Sequence, residues 1–158
     1  MSNINNAPVS IFSARPIPDA PSNSLITYRV PLTSDERRKS IISFMAEGKQ
    51  IQLQLFGSQA RGAILKHGNL VLIEETAEIL EILAKPEPVM TATTPDFSLL
   101  LRSAYHLGNR HVPIEITLDW LRFSPDPVLK NMLEQMGLVV SAEIAAFEPE
   151  AGAYHSHG

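Results

Sequence analysis

Val89-Met90-Thr91-Ala92-Thr93-Thr94-Pro95-Asp96-Phe97-Ser98-Leu99-Leu100-Leu101-Arg102-Ser103-Ala104-Tyr105-His106-Leu107-Gly108 carries the clearest change of period in the chain. Val89 to Thr93 is short and rich in β-favouring types, as a strand is. Thr94-Pro95-Asp96 then reads as a helix start, with Thr94 free to cap and Pro95 suited to the first turn. Phe97, Leu100, Leu101, Ala104 and Leu107 follow at helical spacing, and Gly108 is a natural stop. Downstream, Val112 to Thr117 and Trp120 to Phe123 read as two strands joined by a tight turn at Leu118-Asp119. Ser124 or Asp126 can cap a second helix, with Leu129, Met132, Leu133 and Met136 inward and Gly137 at its end. Leu138 to Ser141 supplies a last strand. The order β-α-β-β-α-β is the split arrangement of a ferredoxin-like domain, expected over residues 89–146.

Working back toward the N-terminus, Lys85-Pro86-Glu87-Pro88 interrupts the pattern and places a linker at 85–88. Before it, residues 25–84 read as a small all-β domain. Ile26, Tyr28 and Val30 alternate with polar residues, and Ile41 to Met45 and Ile51 to Phe56 bracket a hairpin turn at Glu47-Gly48-Lys49. Val71 to Ile73 and Ile79 to Leu83 are further short apolar runs. Residues 1–24, with Pro8, Pro16, Pro18 and Pro21 among Asn, Ser and Ala, are expected to form a disordered arm. Residues 147–158 are expected to be a flexible tail. The fold class is therefore α+β: a small all-β domain, a ferredoxin-like domain and a histidine-containing tail.

Composition narrows the chemistry. The chain has 158 residues, 44% of them apolar, and no cysteine. That excludes disulfides, thiolate metal sites and a cysteine nucleophile, and it favours a reducing, cytoplasmic setting. The net charge of −4, with no long basic run, argues against nucleic acid as a partner. No apolar stretch approaches the length of a membrane span, and the N-terminus has no signal-peptide pattern. Gly57-Ser58-Gln59-Ala60-Arg61-Gly62 has the glycine spacing of a phosphate loop, but Ala63 and Ile64 stand where Lys and Ser or Thr are needed. Asp35-Glu36-Arg37-Arg38-Lys39 reads as a solvated charged loop.

Five histidines remain: His67, His106, His111, His155 and His157. Imidazole and carboxylate ligands suit nickel, copper or zinc. His155 and His157, near the chain end, form the clearest candidate pair. His106 reads as a residue favoured by the dipole at a helix C-terminus. His67 reads as solvated in its turn. His111, expected at the start of the next strand, is a surface candidate that could chelate only together with its own copy across a two-fold axis.

Two longer stretches carry a resemblance. Ala104-Tyr105-His106-Leu107-Gly108-Asn109-Arg110-His111-Val112-Pro113 resembles the signature of the UreE urease accessory proteins. Phe147-Glu148-Pro149-Glu150-Ala151-Gly152-Ala153-Tyr154 resembles that family's pre-tail segment. Asp126 to Leu133 is similar to its second C-terminal helix, and Leu32 to Ser40 to its early E-R-x-K-S segment, so the likeness runs from about residue 25 to the end. The resemblance implies a cytoplasmic homodimer, or a tetramer when metallated, that delivers Ni(II) to the urease apoprotein complex together with the accessory GTPase. Zinc and copper are the other ions such ligands take in vitro. It implies His111, with its symmetry mate, as the interface ligand, and His155 and His157 as tail ligands.

Two departures limit what carries over. The tail holds two histidines where some relatives have a long run. Pro125 and Pro127 stand where some relatives have further histidines. An adaptor that binds no metal and a metal-dependent hydrolase are the competing readings. The hydrolase needs about three fixed ligands and a nearby acid or base, which no local cluster offers.

Overall fold

The computed structural model describes residues 9–57 and 64–151. Their fold is α+β, strands first and a βαββαβ arrangement after, and the chain divides into two compact units, Met1–Leu83 and Ala84–Gly158.

The first unit contains a six-stranded sheet. Its strands are β1 (Val9–Ile17), β2 (Ile26–Leu32), β3 (Ile41–Ala46), β4 (Lys49–Leu55), β5 (Leu70–Ile73) and β6 (Ile79–Ala84), in the spatial order β2-β6-β5-β1-β4-β3. The β3–β4 hairpin turns at Glu47 and Gly48, both with positive φ, as a two-residue type I′ connection requires. Alternate strand residues, among them Val30, Ile42, Leu53, Leu55, Val71 and Ile82, build the core.

Residues 1–24 are not simply an arm. Val9–Ile17 is an interior strand, parallel to β4 over Val9–Ala14 and antiparallel to β5 over Ala14–Ile17. Pro16 is tolerated because it lies beyond the last residue paired with β4, where the strand has a single neighbour. The Glu75 carboxylate accepts the Ser13 N–H at 2.8 and 3.0 Å, and the Ser13 carbonyl accepts the Glu74 N–H at 2.9 Å, tying β1 to the turn after β5. Those N–H bonds hold the Glu75 carboxyl below its ordinary range. The loop at 35–39 also differs from expectation. Arg37, on a 3-10 turn over Glu36–Arg38, is fully buried and donates to the Leu65 carbonyl at 3.1 Å, while its own carbonyl accepts the Leu65 N–H.

The second unit follows the ferredoxin-like order: β7 (Glu87–Thr93), α1 (Phe97–Gly108), β8 (Ile114–Ile116), β9 (Trp120–Phe123), α2 (Pro127–Met136) and β10 (Val139–Ala145). The strands are antiparallel in the order β10-β7-β9-β8. β7 begins at Glu87, so Lys85-Pro86 alone separates it from β6. Asp96, not Thr94, caps α1: its carboxylate accepts the Ser98 and Leu99 N–H groups, and the Thr94 hydroxyl accepts from Asp96 itself. Asp126 caps α2 in the same way, with Pro127 in the first turn and Gly137 left-handed at the end. Ala92, Ile114, Leu121, Phe123 and Val140 on one sheet face pack with Leu100, Leu107, Leu129 and Leu133 of the helices.

Candidate metal centre

His111 sits in the turn that closes α1, three residues before β8, rather than at the start of that strand. The last four helical carbonyls, which have no partner within a helix, are all answered here. Tyr105 O accepts the Asn109 N–H at 3.0 Å, and His106 O accepts the Arg110 guanidinium at 3.1 Å. Leu107 O accepts Arg110 and Val112 N–H groups, and Gly108 O accepts the His111 N–H at 2.9 Å. This wrap places His111 at φ 56°, in the left-handed region. Among non-glycine residues His, Asn and Asp tolerate that region best. The backbone is thereby pinned while the imidazole is exposed and hydrogen-bonds to none of the described residues. The negative end of the α1 dipole favours a cation at this point.

One line along α1 lacks cover. Phe97, Leu101 and Tyr105, spaced at i, i+4 and i+8, are 52%, 55% and 66% exposed. The line runs toward the helix end whose turn carries His111. His106 is exposed in the last helical turn, with its ring edge-on to Tyr105 at 5.6 Å, and His67 is exposed in the first unit. Among the described residues no group of three or more His, Asp or Glu side chains converges to hold an ion. The structure thus brings His111 together with no other expected ligand among the described residues.

His155 and His157 lie outside the described residues. The segment that leads to them does not behave as a flexible tail from residue 147. Phe147 and Pro149 are buried, and the Glu150 N–H donates to the Ile114 carbonyl on β8 at 2.7 Å. Sequence reasoning missed this docking and the polar cluster beneath it. Arg122 and Glu115 are register partners on β9 and β8, an opposite-charge cross-strand pair. That pair could have been found once the Leu118-Asp119 turn had set the hairpin register.

The comparisons with known proteins agree on one family. Residues 87–158 match the family model described as the UreE urease accessory protein, C-terminal domain. A protein of a Nostoc species named urease accessory protein UreE is 48% identical over 132 residues, covering 84% of this chain and 88% of its own. The protein of that name from Nostoc punctiforme is 48% identical over 136 residues, 85% and 89% of the two chains. The one from Thermosynechococcus vestitus is 42% identical over 151 residues, 93% of this chain and 100% of its own.

Proposed function

The chain belongs to the UreE family of urease accessory proteins, and from that premise we propose that it is a nickel-binding metallochaperone which hands Ni(II) to urease during assembly of its active site. The observation that carries this reading is His111: a left-handed residue on a fully satisfied turn, with its imidazole turned to solvent at the end of an uncovered apolar helix line. An isologous contact along that line would bring two His111 imidazoles together about a two-fold axis. Two neutral imidazoles under-coordinate nickel, and His155 and His157 are the remaining candidates of suitable chemistry. A site built from exposed side chains at a subunit boundary exchanges its ion readily, which suits a carrier and not a catalyst. The partners of this reading are a second copy, the accessory GTPase and the urease apoprotein complex, in the cytoplasm. Zinc and copper would compete for the same imidazoles in vitro.

The test is His111→Asn, which keeps a residue suited to φ 56° while removing the ring. Calorimetric titration with Ni(II) should show the tightest site lost, by more than about 100-fold, beyond the scale seen on removing outer-shell partners. Sedimentation should find the variant still dimeric. Tight binding that survives in the variant would favour an adaptor in which the histidines are incidental.

A further inference from the structure

Away from the helices, the second unit's sheet carries a polar face held ready by its own residues. Ala92, Ile114, Leu121 and Phe123 belong to the helix-side core. Alternation along the strands therefore puts Thr91, Glu115 and Arg122 on the opposite face. Arg122 is its centre, with 14% of its side chain exposed. The guanidinium lies 4.2 Å from the Trp120 ring centre. Its Nε donates to Thr91 Oγ1 at 3.2 Å, and its Nη2 donates to Glu143 Oε2 at 3.3 Å. Three groups of the sheet thus fix the planar fork and leave Nη1 for a guest. Nη1 stands 3.7 Å from Glu115 Oε2, so a donor and an acceptor lie side by side.

The guest is Ala146–Glu150, the run of chain after β10. Nη1 of Arg122 donates to the Ala146 carbonyl at 3.0 Å, and Glu115 Oε2 accepts the Glu148 N–H at 3.1 Å. The Ile114 carbonyl, on the outermost strand β8, accepts the Glu150 N–H at 2.7 Å. One carbonyl and two N–H groups are read, at positions two residues apart, which is the period of an extended chain. The side chains between them, Phe147 and Pro149, are buried, while Ala146 and Glu150 are exposed. Pro149 has no N–H to give, and none of these acceptors is aimed at it. The face therefore recognises a pattern: an aromatic residue, any residue, then proline, in an extended main chain. Sheets take up peptides in this way, with main-chain bonds supplying affinity and alternate buried side chains supplying selectivity.

Nothing in that pattern requires the guest to be covalently attached, because all three hydrogen bonds are made by its main chain. Closing the site from within orders five residues and buries one phenylalanine and one proline. Those two terms oppose each other, and segments so balanced open locally. We propose that the face around Arg122 and Glu115 is a docking site for an extended aromatic-x-proline segment of a partner protein, which the chain's own Ala146–Glu150 occupies until displaced. The chain's segment is then a tethered competitor. Its effective concentration, on the order of millimolar for a short tether, sets the threshold a partner must exceed. The proposal makes no use of the metal reading, and either can fail without the other.

The experiment uses the full chain, without metal, and a synthetic peptide Ala-Ala-Phe-Glu-Pro-Glu-Ala, the sequence of residues 145–151, labelled at its N-terminus. Fluorescence anisotropy gives its affinity for the native chain, Phe147→Ala and Glu150→Pro, and amide hydrogen exchange at residues 148–151 is followed in parallel. Each substitution weakens the tethered competitor and leaves Arg122, Glu115 and Ile114 in place. Both variants should exchange faster across the segment and bind the peptide at least about tenfold more tightly than the native chain does. Adding Glu115→Ala to either variant should reverse the gain, and Glu115→Gln, which keeps an acceptor, should not. A peptide with alanine at the phenylalanine position should bind at least about tenfold more weakly. Faster exchange without peptide binding would make the segment a fold element only and overturn the proposal. Equal binding of the two peptides would overturn the pattern it is said to read. If the peptide instead breaks assemblies of the native chain into smaller ones in sedimentation, the occupant is a second copy, which overturns the assignment to a partner protein. Glu150→Pro removes one N–H of an exposed residue and no core side chain, so the test stands if Phe147→Ala fails to fold.

Discussion

The two units use charged residues in contrasting ways. In the first, Arg15 on β1 pairs with Glu74 in the turn after β5, and Arg29 on β2 pairs with Glu81 on β6, both through arginine side chains more than half exposed. Pairs of that kind are screened by water and contribute about 0–1 kcal/mol. In the second, Arg122 is largely enclosed and distributes its donors over Thr91, Glu143 and a backbone carbonyl of the chain crossing above it. The first arrangement decorates a sheet that its apolar core already holds. The second decides where a later part of the chain goes. Histidines follow the same division: His67 stands in the first unit, and the other four are in the second.

That contrast can be broken most forcefully by removing β1. Deleting residues 1–17 strips both β4 and β5 of a neighbour in the middle of the first sheet. The first unit should lose its cooperative thermal transition, while Ni(II) titration of the second should stay within about twofold of native, since sites without shared partners act nearly independently. A collapse of nickel binding in this variant would show that the units are not separable. A matched pair of core truncations sharpens the point. Phe123→Ala should cost about 3–5 kcal/mol and Leu53→Ala about 2–5 kcal/mol in denaturant unfolding. Only the first should weaken nickel, because Phe123 packs in one core with Leu107, in the last turn of α1 before His111.

The smallest effect separates the units by pH. The Ser13 N–H holds the Glu75 carboxyl low, so its folded value lies below its unfolded one. This bond then stabilises the first unit above the ordinary glutamate value of about 4.3 and is lost as pH falls through the depressed value. Glu75→Gln should flatten that acid limb slightly, as read from the thermal midpoint between about pH 5 and 2. Nickel affinity of the second unit should fall much earlier, between about pH 7.5 and 5.5, because imidazole binds metal only when neutral. Coincident pH profiles for nickel loss and first-unit unfolding would erase the distinction.

The second unit was largely legible in its sequence, because helix periods, Asp126-Pro127 and Gly137 each act locally. Its strand order followed from the element order. β1 was not legible for a reason that lies in the pairing. Its apolar residues Val9 and Ile11 face solvent, while Phe12 and Ala14 face the core, so the alternation that marks a strand is blurred. Its proline is permitted by a neighbour that ends two residues earlier. Pro88 uses the same allowance in β7, which pairs with β10 from Glu87 but with β9 only from Met90. Neither proline can be placed without knowing where the adjoining strand stops. At the candidate site, His111 could be singled out from the sequence, but its left-handed turn could not, since that conformation arises from how α1 ends. The docking of the segment after β10 was hidden because its bonds use backbone groups of Ala146, Glu148 and Glu150, which carry no side-chain signature.

The place of β1 also bears on how the chain leaves the ribosome. β1 finds its parallel partner only when residues 49–55 have emerged, and its antiparallel partner only when residues 70–73 have. Contacts of such sequence separation form late, because the intervening loop must close first. Until then Val9, Ile11, Phe12 and Ile17 travel uncovered on the nascent chain, and more than fifty further residues must be made before they can be put away. A proline at position 16 lowers the chance that this waiting segment pairs with a strand of another chain, since it withholds the N–H that an intruding neighbour would need.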